Sequence, residues 1–314
     1  LGSAIYRSTD DGVTFTPTGL VGADGDWWST IEAAPGAPAR LAVTAYRLTS
    51  GQPRQRLLFR SRDGGASWDE LPTDSFVTTT ISDLLVEAIA PTDPDVVFVR
   101  VTSTAATLRE ALYRTSDFGT TAPGGPTWTR VLDVADRITG VVVRADGDVL
   151  ASTTASGLWR STDGGVTFAP IADVRFDAWC LGEHPGGALW MCTNNLPPDG
   201  ATLQVSTTGA AGTWTPRLTY ADITGPLRCA AGTVQHDDCE RLLWCGLKEN
   251  LGIRSTELAC GPVDAGVDAA TGGGGDKGCC STGRGPGGEL VVVALGLVAR
   301  RRRRARGQRA RASR

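Results

Sequence analysis

The chain has 314 residues, 41% apolar and 21% charged, which suits one large domain or two ordinary ones and excludes a disordered polyelectrolyte. The net charge of −3 hides a basic end: residues 300–314 hold nine Arg and no acid, leaving 22 Lys+Arg against 34 Asp+Glu elsewhere. That acidic body argues against a nucleic-acid partner, and no apolar run reaches the roughly 20 residues of a membrane-spanning helix. The chain opens at Leu1 inside a strand-like segment without a leader, so we interpret it as N-terminally incomplete.

A short motif recurs five times: a Ser or Thr, an Asp two residues later, then a Gly and an aromatic residue. Three copies are complete, Ser8–Phe15, Ser61–Trp68 and Ser161–Phe168. The copy at Thr115 carries an insertion before Trp128, and the copy at Ser206 has Thr208 in place of Asp. We call these copies the repeat turns. The residues predicted to build them are Ser8, Asp10, Gly12, Phe15, Ser61, Asp63, Gly65, Trp68, Thr115, Asp117, Gly119, Trp128, Ser161, Asp163, Gly165, Phe168 and Trp214.

Asp followed by Gly between β-rich runs predicts a hairpin turn. The carboxylate accepts backbone N–H bonds within the turn, Gly supplies a positive φ, and the Ser or Thr closes a second local bond. The aromatic residue then begins the return strand, and we expect it to pack against a neighbouring unit.

The segments between the repeat turns follow one order as well. Two strand-like runs precede each turn, as at 28–32 with 41–46, 84–90 with 96–101, 140–143 with 149–153 and 179–182 with 189–192. Four short strands in each unit of roughly 45–50 residues predict the blades of an all-β propeller. About five blades are visible, of which residues 1–20 supply only the last two strands, and strand-like pieces without a repeat turn follow residue 219. We expect six or seven blades in the complete protein.

Over about residues 1–258 the repeat turns resemble the Asp-box, or bacterial neuraminidase repeat, propellers. That superfamily includes sialidases, xyloglucan-degrading hydrolases, sortilin-type receptor domains and photosystem assembly factors. The resemblance implies the fold and leaves the function open, because one fold serves all of these classes.

Six cysteines between residues 180 and 260 predict disulfides formed in an oxidising compartment. Cys180 and Cys192 lie symmetrically about a turn at 184–187 and are predicted to pair. Cys229 with Cys239, and Cys245 with Cys260, are weaker pairings among 15 possibilities. A zinc site is the rival interpretation, but the sequence has no C-x-x-C pair there.

The composition changes after the propeller. Residues 259–278 form a Gly/Asp/Ala-rich linker, and residues 279–314 contain Cys279-Cys280, a ten-residue apolar stretch and the Arg cluster. This order resembles the C-terminal sorting signal of myxobacterial surface proteins. The resemblance implies processing and lipid attachment near Cys279 and Cys280, and export to the cell surface, where the outer membrane holds the chain through its C-terminus. The alternatives are a basic tail for nucleic acid and an out-of-frame artefact.

No catalytic constellation stands out in the sequence. The arginine motif that the sialidase resemblance requires is absent, and Tyr220 with Asp222 is the one Tyr/Asp pair outside a repeat turn. The loop residues considered for paired-carboxylate hydrolysis, sugar stacking or proton transfer are Asp24, Asp26, Glu183, Asp237, Asp238, Trp27, Trp28, His184 and His236. We predict no catalytic residue, cofactor or metal ligand among them.

Three hypotheses follow for the function. The first is an exported, surface-anchored and monomeric propeller that binds a protein or a glycan without catalysis. The second is a glycoside hydrolase, sialidase-like or xyloglucanase-like, with part of its active site in missing N-terminal residues. The third is an assembly or scaffold factor.

Overall fold

The fold is built almost entirely from β-strands. The computed structural model describes residues 4–74, 76, 81–103, 108–172, 174, 176–225 and 243–253. Within these residues, eighteen strands form one two-stranded sheet and four four-stranded sheets. Every sheet is an antiparallel meander whose strands follow chain order.

The two-stranded sheet, here the N-terminal hairpin, consists of β1 (Ala4–Arg7) and β2 (Thr16–Val21). The first blade consists of β3 (Asp26–Ala34), β4 (Ala37–Arg47), β5 (Gln55–Ser61) and β6 (Asp69–Leu71). The second consists of β7 (Ile81–Ile89), β8 (Val97–Ser103), β9 (Glu110–Thr115) and β10 (Thr129–Val134). The third consists of β11 (Ile138–Val143), β12 (Val149–Thr153), β13 (Leu158–Ser161) and β14 (Ala169–Pro170). The fourth consists of β15 (Cys180–Glu183), β16 (Leu189–Cys192), β17 (Leu203–Ser206) and β18 (Thr215–Leu218).

The four blades share one strand register. In each, the Ser or Thr that opens the repeat turn ends the third strand and pairs with a residue of the second strand. These pairs are Leu41–Ser61, Val97–Thr115, Val149–Ser161 and Leu189–Ser206. The sequence repeat is therefore a structural repeat, with each turn joining the third strand to the fourth.

The apolar core is divided into four clusters, each between two consecutive sheets. Pairs of members from the two sides are Leu20 with Val43, Leu58 with Val99, Phe98 with Val149, and Leu150 with Leu189. The first strands β3, β7, β11 and β15 also contact one another in succession. Sheets packed face to face around a common line of first strands are the blades of a β-propeller, which confirms the predicted fold class.

The aromatic residue of each repeat turn packs towards the preceding sheet. Trp68, Trp128, Phe168 and Trp214 are partly buried against the four clusters in chain order. Phe15, in the first repeat turn, is 61% exposed, and no sheet precedes its hairpin among the described residues. The repeat turn of each blade thus contributes its aromatic side chain to the contact with the preceding sheet.

The order of the strands agrees with the sequence prediction, including a first unit of only two strands, although several strands are longer than predicted. One segment differs: part of the region after residue 219, predicted as strand-like pieces, is helical. Tyr220–Asp222 form a 3-10 turn and α1 spans Trp244–Asn250. Leu243, Leu247 and Leu251 follow a spacing of four, typical of a helix, and Trp244 is buried. The blade number of the complete protein remains a prediction.

The predicted disulfide between Cys180 and Cys192 is confirmed. The two residues face each other on β15 and β16, with Cα atoms 4.9 Å apart. Cys245 is disulfide-bonded as well. The predicted pairs Cys229–Cys239 and Cys245–Cys260 involve residues outside the described part of the chain.

Candidate functional site

The carboxylates of the repeat turns are occupied by local hydrogen bonds. In the first blade Asp63 Oδ1 accepts the Ser67 amide at 2.8 Å and the Ser61 hydroxyl at 2.9 Å, while Oδ2 accepts the Ser67 hydroxyl at 2.5 Å. The Ser61 hydroxyl accepts the Gly65 amide at 2.8 Å. Three groups therefore close one turn around a single carboxylate.

The same network holds in the other complete copies. Local hydrogen bonds lower the pKa of Asp10 and of Asp63 to about 2. The largest contribution comes from the Thr14 side chain at Asp10 and from the Ser67 side chain at Asp63. The hydroxyls of Ser161 and Thr167 likewise lower the pKa of Asp163. Carboxylates held ionised in this way are poor proton donors, so these residues serve the fold rather than acid catalysis.

Incomplete copies keep the turn by other means. Despite its insertion, the copy at Thr115 retains a bond from the Thr127 amide to Asp117 Oδ1 at 2.9 Å. In the copy at Ser206, hydroxyls replace the carboxylate, with Ser206 Oγ and Thr213 Oγ1 2.5 Å apart.

An arginine clamp, which our sequence analysis did not identify, connects neighbouring repeat turns. Arg7 Nη1 donates to the Gly64 carbonyl at 2.9 Å, and Arg114 Nε donates to the Gly164 carbonyl at 2.8 Å. Arg60 Nη1 makes the equivalent bond to the Phe118 carbonyl. The sequence carries the signal, because an Arg directly precedes the Ser or Thr in four of the five copies.

A buried charge network lies on the first three strands of the second blade. Arg100 on β8 donates from Nε to Glu87 at 2.7 Å and from Nη1 to both carboxylate oxygens of Glu110, at 3.1 and 2.9 Å. Glu110 also accepts the Thr102 hydroxyl at 2.9 Å and the Ile138 amide of the third blade at 2.7 Å. Burial opposes the charge of Arg100, but attraction by the two carboxylates outweighs it and raises its pKa.

Glu32 on β3 is a further carboxyl whose charge interacts with that of Glu87 in this network. It makes no hydrogen bond to any other described side chain. Burial, and then repulsion from Glu87, raises the pKa of Glu32 to about 8. Glu32 therefore carries its proton at neutral pH, which is the state of a general acid.

The raised pKa of Glu32 predicts a pH-dependent stability. The folded chain holds a proton that the unfolded chain releases, so stability falls as pH rises from about 4.5 to about 8. Glu32→Gln should remove this loss, making the variant about as stable as the parent near pH 4.5 and more stable by on the order of 2 kcal/mol at pH 8; this is below the roughly 4 kcal/mol of the full shift because Glu32 is only partly buried and water screens its charge.

Urea denaturation at a series of pH values measures this difference. Glu70→Gln, which changes an exposed carboxyl on β6, is the matched control and should leave the pH profile as in the parent. Identical profiles for the Glu32 variant and the parent between pH 5 and 9 would contradict the assignment.

An exposed aromatic surface stands at the start of β3. Trp27 and Tyr46 are cross-strand partners whose ring centroids are 6.4 Å apart and whose planes are 9° from parallel. Trp27 is 57% exposed, whereas its neighbour Trp28 packs edge-on to Phe59 in the core. Of the two candidate tryptophans, only Trp27 is placed to meet a ligand.

Polar groups border the same surface. The guanidinium carbon of Arg54 lies 4.4 Å from the centre of the Tyr46 ring, and Arg54 Nη1 donates to Asp83 Oδ1 at 3.1 Å. We call Trp27, Tyr46, Arg54 and Asp83 the aromatic platform. It combines an apolar plane with donors and acceptors at its border.

A second exposed tryptophan has an equivalent position in the fourth blade. Trp179, 59% exposed, directly precedes β15, as Trp27 stands at the start of β3. Because the first strands of propeller blades run in one direction about the axis, both residues lie at the same end of the propeller. The repeat turns lie at the opposite end.

Among the described residues, the loop carboxylates considered for hydrolysis have separate surroundings. Asp26 is buried and bound by Arg47, whose hydrogen bond at 2.5 Å lowers the pKa of Asp26. Glu183 accepts from Arg144 at 3.0 Å in another blade, and Asp24 is exposed. Asp237, Asp238 and His236 lie outside the described residues.

The remaining candidates have local roles. Asp222 accepts the Thr219 amide at 2.7 Å and so caps the 3-10 turn that holds Tyr220. His184 Nδ1 accepts the Gly186 amide at 3.1 Å within a hairpin turn. Neither arrangement brings a base or nucleophile to a second catalytic group.

Several sequence predictions fall beyond the described residues, among them the processing site at Cys279 and Cys280. Within the described ranges, no group of three or more His, Cys, Asp or Glu side chains is arranged to hold a metal ion. The helices of that same part of the chain include none with the length and apolar character needed to cross a membrane.

A shallow cleft of about 220 Å³ lies between the first and second blades, lined in part by Arg60, Arg62 and Asp69. Both guanidinium groups donate to Asp69, at 3.0 and 3.1 Å.

Comparison with known proteins gives no sequence relative and several distant structural similarities. Neither a known family model nor a curated protein sequence matches the chain. Similar solved structures include YCF48 bound to a D1 peptide, at 19% identity and TM-score 0.45, covering 73% of this chain and 66% of that one. The GH74 enzyme of Niastella koreensis is 19% identical with TM-score 0.40, covering 60% and 29%. The sialidase of Trypanosoma rangeli is 15% identical with TM-score 0.37, covering 71% and 42%. These structures are β-propellers, and this chain spans less than two thirds of their length.

Proposed function

We propose that this chain is a β-propeller binding module, which holds a protein or glycan ligand without catalysis at the end that bears Trp27 and Trp179. The exposure of these two large aromatic side chains carries the proposal. Burying an aromatic ring at an interface supplies much of the binding free energy in many complexes.

The proposal includes export and anchoring at the cell surface. The disulfide between Cys180 and Cys192 fits an oxidising compartment. The order of linker, Cys279-Cys280, apolar stretch and Arg cluster supports a sorting signal of the myxobacterial kind. In this proposal the repeat turns are Asp-boxes, the module acts as a monomer, and a lipid at the Cys pair holds it on the outer membrane.

The test is a binding screen with the full chain, using a glycan array and a pull-down from envelope extracts with identification of the captured protein. A bound ligand should be lost in the double variant Trp27→Ala/Trp179→Ala. It should be retained in Phe15→Ala, which removes an equally exposed aromatic ring from the other end of the propeller. Binding that survives the double variant would contradict the proposal.

A second candidate function is glycoside hydrolysis, favoured by Glu32. The raised pKa of Glu32 favours its protonated form at neutral pH, and a protonated carboxyl is the group that donates a proton to a leaving glycosidic oxygen. The assay is release of reducing sugar from xyloglucan and of sialic acid from sialyllactose. Turnover that disappears in Glu32→Gln would replace the binding proposal, and no release from either substrate would count against the hydrolase.

A further inference from the structure

We propose that the aromatic platform binds a neutral pyranose ring of a saccharide, with the sugar lying on Trp27 and its hydroxyls meeting Arg54 and Asp83. This inference rests on the proposed binding function and names the chemical class of its ligand.

The apolar half of the argument is the shape of the surface. A pyranose whose hydroxyls are equatorial presents only C–H groups on its two faces, so its natural partner is a flat, exposed ring. The Trp27 indole supplies that ring, and Tyr46, 9° from parallel and 6.4 Å away, gives it a fixed orientation. Contact between the C–H groups and the electron-rich ring face adds to the gain from removing both surfaces from water.

The polar half is the pairing of Arg54 with Asp83. The guanidinium offers N–H donors in a plane, and the carboxylate offers acceptors to hydroxyl protons. The side chains are 37% and 42% exposed, so water already reaches both groups. Vicinal hydroxyls, which donate and accept at once, match this mixed border better than a purely apolar or purely ionic ligand does.

Charge complementarity selects a neutral sugar. Arg54 is already paired with Asp83 at 3.1 Å, so a carboxylate sugar would have to compete with Asp83 for this guanidinium. A cationic ligand competes with the Arg54 guanidinium that is placed over the Tyr46 ring. A neutral saccharide requires neither pairing to break.

An ion pair between β3 and β4 also holds the aromatic platform in place. Asp26, next to Trp27, is buried and accepts two bonds from Arg47, next to Tyr46, at 2.5 and 3.0 Å. This cross-strand pair fixes the ends of β3 and β4, so little conformational freedom remains to be lost when a ligand binds.

Isothermal titration of the full chain with cellohexaose, a neutral β-linked oligosaccharide, tests the inference. We expect saturable binding that weakens about tenfold or more in Trp27→Ala, which corresponds to about 1.4 kcal/mol. Trp27→Phe, which keeps a smaller ring, should lose less, and Phe15→Ala should bind as the parent does. Thermal melting of each variant confirms that an unchanged fold underlies the comparison.

Cellohexaose binding that Trp27→Ala leaves unaltered overturns the inference, as does the absence of cellohexaose binding. A preference for sialyllactose or for tetramethylammonium over cellohexaose also overturns it. If the pull-down yields a protein ligand that needs Trp27 while cellohexaose does not bind, the binding function stands and only the saccharide assignment fails. If cellohexaose does not bind and neither the glycan array nor the pull-down yields a ligand, the binding function and the saccharide assignment both fail.

Discussion

Replacing Arg100 with Met is expected to lower the free energy of unfolding by about 3–5 kcal/mol, because the substitution leaves buried carboxylates without their partner. The side chain of Glu110 is 3% exposed and that of Glu87 is 12% exposed, so water does not take over the role of the guanidinium. Both oxygens of Glu110 face Arg100 in the parent. Urea denaturation at pH 7 measures the loss.

The pH dependence of the Arg100 variant identifies the cause. Without the guanidinium, the buried carboxylates carry charge that no cation compensates, so stability should be recovered as the pH falls and that charge is removed. The cost of the substitution should therefore shrink between pH 7 and pH 4.5. A loss caused only by poorer packing of Met is independent of pH and would contradict this account.

An exposed ion pair of the same blade provides the control. Arg130 donates to Asp133 at 2.8 Å, but its side chain is 58% exposed. Arg130→Met should cost no more than about 1 kcal/mol, as exposed pairs generally do. Equal losses for the Arg100 and Arg130 variants would show that the network adds nothing beyond an ordinary surface bridge.

The sequence predicted the repeat turns and their strands because both depend on local chemistry. The Asp, the hydroxyl before it and the Gly after it interact within about five residues, as the bonds around Asp163 illustrate. The pairing of Cys180 with Cys192 was predictable for the same reason, since a tight hairpin brings its two ends together. Interactions of this kind do not depend on how one blade packs against the next.

The buried charge network and the aromatic platform depend on contacts between strands that the spacing of residues along the sequence does not predict. Glu32, Glu87 and Arg100 come from three strands of two blades, and only the packing of those blades brings them together. In the platform, the sequence proposed Trp27 and Trp28 alike, because alternation along a strand places one of two neighbours outside without saying which. In the structure Trp28 packs against Phe59 in the core, which leaves Trp27 as the exposed ring.

Replacing Gly165 with Ala is expected to lower the free energy of unfolding by about 2–4 kcal/mol. The larger share of this loss should come from steric overlap between two neighbouring blades. Gly165 has a φ of +84°, and a Cβ there would lie 2.3 Å from Cζ of Phe98, a fully buried residue of the second blade. The left-handed backbone costs an Ala roughly 1 kcal/mol, and overpacking a filled core adds about 1–3 kcal/mol. Chemical denaturation of the variant measures the sum.

The preceding residue separates these two costs. Gly164 also has a positive φ, of +72°, but a Cβ at that position meets nothing within 4 Å. Gly164→Ala should therefore lose only the backbone share, and the difference between the two variants gives the steric share at the contact with Phe98. Phe98→Leu, which removes the ring, should reduce the extra cost of the Gly165 substitution in a double-mutant cycle. If the two glycine variants are equally stable, or if the cycle shows no coupling, the glycine of the repeat turn is required for the turn alone and not for the packing of one blade on the next.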